Sequence, residues 1–543
     1  MIGPIPTGKF FSRGILIIFL SLCLTVSISY TAGATTILRV AQGSCTPNGL
    51  MCNTFSSISA DGRYVAFVSL ADSIFPGDSN GKSDVFVRDT QTGAVNRVST
   101  DSYGGQANDM SNYEAPAISA DGRLIAFASY ANNLVPGDSN STSDVFLKDT
   151  STGLITRIST DVANGQANSY SEGPSISSDG RYVAFYSGAS NLVQGDLNSM
   201  PDIFVKDTWT GAINRASSAA AGEEANSASS DPSISGNGRF VAFSSYATNI
   251  VPGVSRGIFM KDMQTGAITC ISSNNNLNDS ISVSADGRYV AFGASGNLPS
   301  GVHWGIFVKD NQTGSLNLAS ATTDQSAANA DSWSPSISND GRYVAFRSGA
   351  SNLAPGSTNQ TFVKDMQTGQ LRCVSTNLVG SVAYSDTYYP SISGDGRYVI
   401  FESSAWNLVP NTGSADVFLA ATGIGSVNSK PDLSLTQTRI YWSSYSDYLA
   451  HTLSVDLSVA NNGPSPAYLA RITGSNATHN VTCQTVFFPS QSWMYVPGFL
   501  DLIKAGASNG TTVKYSIPSG VGSFKTNVTA TAADSGGQGY SYP

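Results

Sequence analysis

The 543-residue chain holds three histidines and five glutamates, and only 12% of its residues are charged. With no H-E-x-x-H and no C-x-x-C pair, a zinc centre built on His or Cys is not expected. No G-x-S-x-G elbow and no Walker or dinucleotide loop occurs, so neither that serine chemistry nor a phosphate cradle is on offer. Basic residues number 29 against 38 acidic ones, which removes the electrostatic drive for nucleic-acid binding. So few charges also disfavour a coiled coil or a helical bundle. What is abundant is 53 Gly, 23 Tyr and 24 Phe, ample material for a core and against a disordered chain.

Lys9 and Arg13 precede an uncharged apolar run from Ile15 to Ile28, followed by Ala32-Gly33-Ala34. That is the positive, apolar and small-x-small layout of an export signal over residues 1–34. Cleavage after Ala34 leaves 27 basic and 38 acidic residues and a net charge of −11. A retained signal anchor is the alternative, but the run is shorter than a bilayer span. Cys23 follows Leu22, where a lipoprotein signal needs a small residue. No later stretch is long and apolar enough to span a membrane. The expectation is a monomeric exported protein, secreted, periplasmic or at the cell surface. Asn140, Asn278, Asn311, Asn359, Asn476, Asn480, Asn509 and Asn527 begin N-x-S/T triplets, which matter only in a host that glycosylates. Cys45 and Cys52 flank a short turn that an exported protein can close as a disulfide. Cys270, Cys373 and Cys483 read as small buried hydrophobes.

Asp61-Gly62-Arg63 recurs at Asp121, Asp179, Asn237, Asp286, Asp340 and Asp395, at spacings of 60, 58, 58, 49, 54 and 55 residues. Such a period marks a repeat architecture. Each Asp/Asn-Gly lies between two short apolar runs, a hairpin signal in which Gly supplies positive φ. A loop such as Pro76–Asn80 follows, then a strand such as Asp84–Val87, then a second hairpin at Asp89–Gly93. Four strands per repeat make a propeller blade. Repeat seven lacks a clear fourth strand, and Ile37-Leu38-Arg39-Val40 resembles the fourth strands Val95–Val98 and Ile155–Ile158. The N-terminal strand is therefore expected to close blade seven. The fold class is all-β, a seven-bladed propeller over 35–424 rather than an open solenoid of sheets.

The blades, with Ser-Ile-Ser-x-Asp-Gly-Arg-Tyr-Val-Ala-Phe and Asp-Val-Phe-Val-x-Asp-x-x-Thr-Gly, resemble the WD40-like propeller repeats of the TolB-related (PD40) family. The resemblance implies the fold and not a function, since this propeller carries scaffolds, peptidase gating domains and surface proteins. The six blades and the separate N-terminal domain of TolB itself are not matched, so its role is not carried over. Residues 425–543 alternate apolar and polar, as at Leu453–Ala460. Their Asn461-Asn462-Gly463-Pro464 turn resembles that of CARDB/DUF11-type immunoglobulin-like modules, sandwiches of about 100 residues.

Two constellations are candidates for chemistry. Asp78/Asn80/Asp84, Asp138/Asn140/Asp144 and Asp196/Asn198/Asp202 place oxygen ligands in the loops of blades one to three. They could wrap calcium or be loops held by Asx turns; no other cofactor is expected. The second is a ring at the start of the innermost strands, where Glu114, Glu172, Asp231, Asp279, Trp333, Tyr388 and Tyr389 stand in blades two to seven. Propeller geometry brings these to one mouth of the central channel. Carboxylates beside aromatic faces suit a sugar or a cationic group; solvated loop residues are the plainer reading. The expectation is a non-enzymatic binding or scaffold protein that presents this face to a glycan, peptide or surface-protein partner. The alternatives are a glycan-acting hydrolase or lyase using Glu114 and Glu172, or a structural surface component ordered by calcium.

Overall fold

The computed structural model describes residues 37–41, 53–111, 114–273, 280–295, 302–354, 359–377, 380–409 and 416–423, and the backbone of seven strands between 433 and 542. The signal segment, Cys45, Cys52, Asp279 and Asn278 lie outside the described residues. The chain divides into two compact units. The first contains seven four-stranded antiparallel sheets. Blade one runs Asn53–Ile58, Tyr64–Ser69, Asp84–Asp89 and Val95–Arg97, from the channel outward. Blade seven is Thr387–Ile392, Tyr398–Ser403 and Asp416–Ala421, completed by Ile37–Arg39. The closing strand pairs Ile37 with Ala420, Leu38 with Leu419 and Arg39 with Phe418.

Each Asp-Gly hairpin is built by its own short polar residues. In blade one the Ser59 hydroxyl donates to Asp61 and accepts from the Tyr64 amide, while Asp61 accepts from the Arg63 amide. Gly62 sits at φ +77°, a conformation that costs other residues dearly. The Arg that follows pairs with the Asp of the next hairpin in six blades, from Arg63–Asp89 at 2.8 Å to Arg342–Asp365 at 2.8 Å. Blade seven has Ala421 where that Asp stands, and Arg397 turns to Asp395 instead.

The hairpins are joined into a hoop. Backbone amides of Ala60, Ala120 and Ser178 donate to carbonyls of Ala120, Ser178 and Gly236; Asn237, Ala285 and Asn339 donate to Ala285, Asn339 and Gly394; Asp395 donates back to Ala60. The ring of blades is thereby closed. Aromatic packing follows the same circuit. A Cβ on Gly62 would lie 2.2 Å from Tyr398 of blade seven, and one on Gly122 would lie 2.2 Å from Tyr64 of blade one. Third-strand cations add another link: Lys148 donates to carbonyls of Thr100 and Asp101 in the preceding blade's outer loop. Arg88 of blade one donates to Val40 O at 2.7 Å, which treats the closing strand as an ordinary outer strand. The core lies between blades, as where Ile400, Val417 and Leu419 of blade seven meet Val65, Phe67 and Phe86 of blade one.

Gly62→Ala therefore combines a left-handed backbone penalty with a clash against Tyr398, and is expected to cost about 3 kcal/mol. Gly77→Ala shares the positive φ (+88°) but meets nothing within 4 Å, and should cost about 1 kcal/mol. Urea midpoints of the two variants check this; equal losses would remove the packing role.

In the second unit, strands Leu433–Tyr441, Thr452–Asn461, Ser508–Ser516 and Thr482–Phe487 form one sheet, and Tyr468–Gly474, Val528–Ala533 and Gly539–Tyr542 a second. The expected immunoglobulin-like packing of these sheets lies outside the described residues.

Candidate functional site

The innermost strands carry a bulge at the ring position in blades one, three, four, six and seven. The bulged residue has positive φ each time: Phe55 (48°), Gly173 (59°), Asp231 (55°), Ser334 (55°) and Tyr389 (46°). Four of these five are not glycine, at a cost of about 1–3 kcal/mol each. A bulge re-aims side chains, here where the strands enter the channel.

On blades two to four the ring is acidic. The Tyr186 hydroxyl lies 3.1 Å from Glu114 Oε1 and 3.0 Å from Glu172 Oε2, and the Tyr130 hydroxyl lies 3.2 Å from Glu172 Oε1. Two such bonds to one oxygen hold the carboxylate oxygens within roughly 6 Å of each other. A phenol has one proton to donate, so holding both carboxyls favours a proton on one of them. Burial pushes the Glu114 carboxyl up, against the Tyr186 bond, and the Glu172 and Asp231 charges push it further. Asp231 is exposed by area, yet the protein crowding it raises its carboxyl as well.

On blades six, seven and one the ring is cationic and aromatic. The Arg347 guanidinium sits 4.3 Å from the Tyr388 ring and 5.3 Å from that of Trp333, and donates to Asp386 at 3.1 Å. Tyr389 packs on Tyr388 at 6.3 Å and on Phe55 at 5.2 Å. Beneath them Glu402 is fully buried, with Oε1 accepting from the Phe55 amide and Oε2 unpartnered. Burial pushes its carboxyl up to about 8.

The structure thus brings Glu114 and Glu172 together, places Asp231 within electrostatic reach of Glu114, and sets Trp333 and Tyr388 around Arg347. Tyr186, Arg347 and Glu402 escaped the sequence reading, which compared only innermost strands. The residue after each second-strand Phe reads Val68, Ala128, Tyr186, Ser244, Gly293, Arg347 and Glu402, and comparing that register would have found all three.

The carboxylates proposed for calcium meet an internal cation instead. Asp84 is fully buried, and both it and Asp78 face Arg97 (3.5 and 3.4 Å) and accept from Gln106. Asp138 and Asp144 repeat this with Arg157 and Gln166. Asn80, Asn140 and Asn198 close Asx turns onto Lys82, Thr142 and Met200. The pairing follows the blades: Asp84/Arg97, Asp144/Arg157, Asp202/Arg215 and Asp416/Arg39 occur together, while blades four to six have Gly257/Cys270, Gly305/Leu318 and Gln360/Cys373. A carboxylate stands here only where a guanidinium answers it.

Blade three differs in carrying Glu224 where blades one and two have Gln106 and Gln166. Ligand oxygens of Asp196, Asp202 and Glu224 lie within 4.8 Å of one another, around Arg215. Burial, then the Asp202 charge, pushes Asp196 up to about 7, and burial raises Asp202 to about 6. Among the described residues this is the one acidic cluster with metal-ligand spacing.

The side-chain amides of the sequons Asn140, Asn311 and Asn359 are internal donors, to Ala167 O, Gly287 O and Asp386. A sugar there would break those bonds.

No family model and no curated protein matches the sequence. Solved structures similar to the chain include an oligogalacturonate lyase in complex with manganese (13% identity, TM-score 0.46, covering 73% of this chain and 96% of that one). TolB from Acinetobacter baumannii is similar at 18% identity and TM-score 0.33, over 59% of this chain and 65% of its own. A prolyl endopeptidase is similar at 12% and 0.44, over 76% of this chain and 54% of its own. The architecture is that of a seven-bladed β-propeller with TolB proteins among its structural neighbours.

Proposed function

We propose that the protein is an exported binding scaffold without catalytic activity, whose channel mouth receives a glycan, a peptide or a segment of another surface protein. The supporting observation is the ring of bulges: positive φ at Phe55, Asp231, Ser334 and Tyr389 is strain that four-stranded blades do not require. It is spent where crowded carboxyls stand on one side of the ring and an arginine between two aromatic rings on the other. Loops and bulges held by a rigid scaffold are where binding groups belong.

The test is thermal unfolding of the mature protein in calcium, in EDTA and with soluble cell-wall glycans. A ligand of the folded state at a hundred times its Kd adds about 2.7 kcal/mol. A glycan-dependent rise lost in Trp333→Ala supports the reading. No shift with any glycan moves it to a protein partner, and a calcium-dependent rise lost in Glu224→Gln makes blade three a metal site.

A second reading has one observation in its favour. Glu114 and Glu172 share the Tyr186 hydroxyl and are close enough to act as acid and base on a glycosidic bond, and burial raises the Glu114 carboxyl. Turnover lost in both Glu114→Gln and Glu172→Gln would favour it; binding without turnover would sink it.

A further inference from the structure

We infer that Tyr384 and Trp406, in the loops that enter blade seven and leave its second strand, form a carbohydrate-stacking platform beside the channel ring. The repeats supply the comparison. In blades two, three, four and six the loop entering the blade and the loop leaving its second strand are clasped by an amide: Asn108 to Asn132, Asn168 to Ser190, Asn226 to Thr248 and Asn329 to Ser351, at 2.7 to 3.0 Å. A second contact underlies each clasp, in which the backbone amide of that first Asn donates to a following Asn. Blade seven keeps this second contact, Tyr384 N donating to Asn407 at 2.9 Å. It replaces the clasp itself by two rings, 59% and 66% exposed, 5.2 Å apart at 70°.

The loop frame therefore does not call for aromatic residues here. Exposing both puts apolar surface in water where other blades have an amide, and leaves the Ser385–Ser404 pair to join the two loops. The surroundings favour a sugar over a protein. Ser385 and Ser404, each next to one of the rings in the chain or two residues from it, pair through their hydroxyls at 2.8 Å. Among the described residues of 371–409, Tyr389 in the channel ring is the only other exposed large hydrophobic side chain. A protein interface asks for a contiguous apolar patch. The C–H face of a pyranose needs one ring, and its hydroxyls need polar partners such as the exposed Ser404 beside it.

The platform is also continuous with the channel. Residues 384–389 are one segment: Tyr384 in the platform, Asp386 holding Arg347, then Tyr388 and Tyr389. Tyr384 to Tyr388 spans at most roughly 13 Å of extended chain, so one linear oligosaccharide can touch both. That route rests on the channel-mouth reading; the platform itself does not.

The experiment measures cellohexaose and chitohexaose binding to the full mature protein, by tryptophan fluorescence and calorimetry. Three variants are compared: Trp406→Ala, the double change Tyr384→Asn with Trp406→Ser, which rebuilds the blade-three clasp, and Trp333→Ala. The expected result is saturable binding of at least one hexaose, weakened about tenfold in both platform variants with the melting profile unchanged. Platform-dependent binding that Trp333→Ala leaves intact upholds the platform and removes the glycan route through the channel mouth. Binding lost only in Trp333→Ala overturns the platform and leaves the channel reading standing. Absence of binding to either hexaose overturns it, as does self-association abolished by the platform changes, which would assign the rings to a protein contact.

Discussion

A chain that begins at residue 42 is expected to lose its closed propeller and to self-associate. The missing segment buries Ile37, Val40 and Ala41 and covers Val417, Phe418, Leu419 and Ala420 on the third strand of blade seven. Burial of Ile37 and Val40 alone is worth about 5 kcal/mol. The truncation also removes Arg39 from Asp416, a fully buried carboxylate 2.7 Å away. Taking one partner from a buried pair costs about 3–5 kcal/mol, so Arg39→Met should be severe by itself. The exposed edge is a template for another strand, and light scattering should find dimers or larger species. A synthetic peptide of residues 35–41 should restore the monomer by adding the strand in trans. A truncated monomer with the urea midpoint of the intact protein would refute closure by this strand.

Stability should be greatest near pH 5 and decline toward pH 8, the reverse of many proteins. The sign follows from proton binding. Glu402 keeps its proton in the folded state to about pH 8, Asp196 to about 7, and Asp84 and Asp202 to about 6, with burial the leading cause in each. In the unfolded chain these groups ionise near pH 4. Between those limits the folded state holds more protons, so each step up in pH favours unfolding until the folded pKa is passed. The hairpin aspartates act oppositely: Arg181 holds Asp207 down to about 2, and Asp149, Asp262 and Asp310 are lowered by Arg123, Arg239 and Arg288. Their contribution is complete above pH 4 and is lost only in stronger acid. Glu402→Gln keeps the acceptor for the Phe55 amide and abolishes the titration. It should leave urea stability at pH 5 nearly unchanged and raise it at pH 8 by about 3–4 kcal/mol. A variant no more stable than the parent at pH 8 would show that Glu402 is already ionised or solvated.

The propeller was legible because its determinants are local. Seven Asp/Asn-Gly turns, their flanking runs and a spare strand at the N-terminus can each be read within a dozen residues. The ring residues were legible in part, since Glu114, Glu172, Trp333 and Tyr388 stand at a common offset from those turns. Asp84, Asp144 and Asp202 read from sequence as calcium ligands or as polar loop residues, and not as ion pairs, because Arg97, Arg157 and Arg215 lie across a hairpin and only strand register brings the two together. Tyr186 and Glu402 were hidden for a related reason. They sit in the most uniform strands of the chain, where a single changed residue looks like ordinary core variation until strand register sets Tyr186 opposite Glu172 and Glu402 opposite Tyr388. Tyr384 and Trp406 are separated by two whole strands, and only the clasp they replace, present in four other blades, marks them as a pair.

The antiparallel closing pair also decides how the disc answers to force. Ile37 lies opposite Ala420, so the chain enters and leaves the propeller at the same end of one strand pair. Tension applied between residues 37 and 421 loads the rungs between them one after another, as a zip is opened, instead of all at once in shear. The hoop of hairpin bonds and the other six blades are not on that load path. A pulled molecule should therefore yield first at blade seven, at low force, freeing a single edge while the other six blades remain folded.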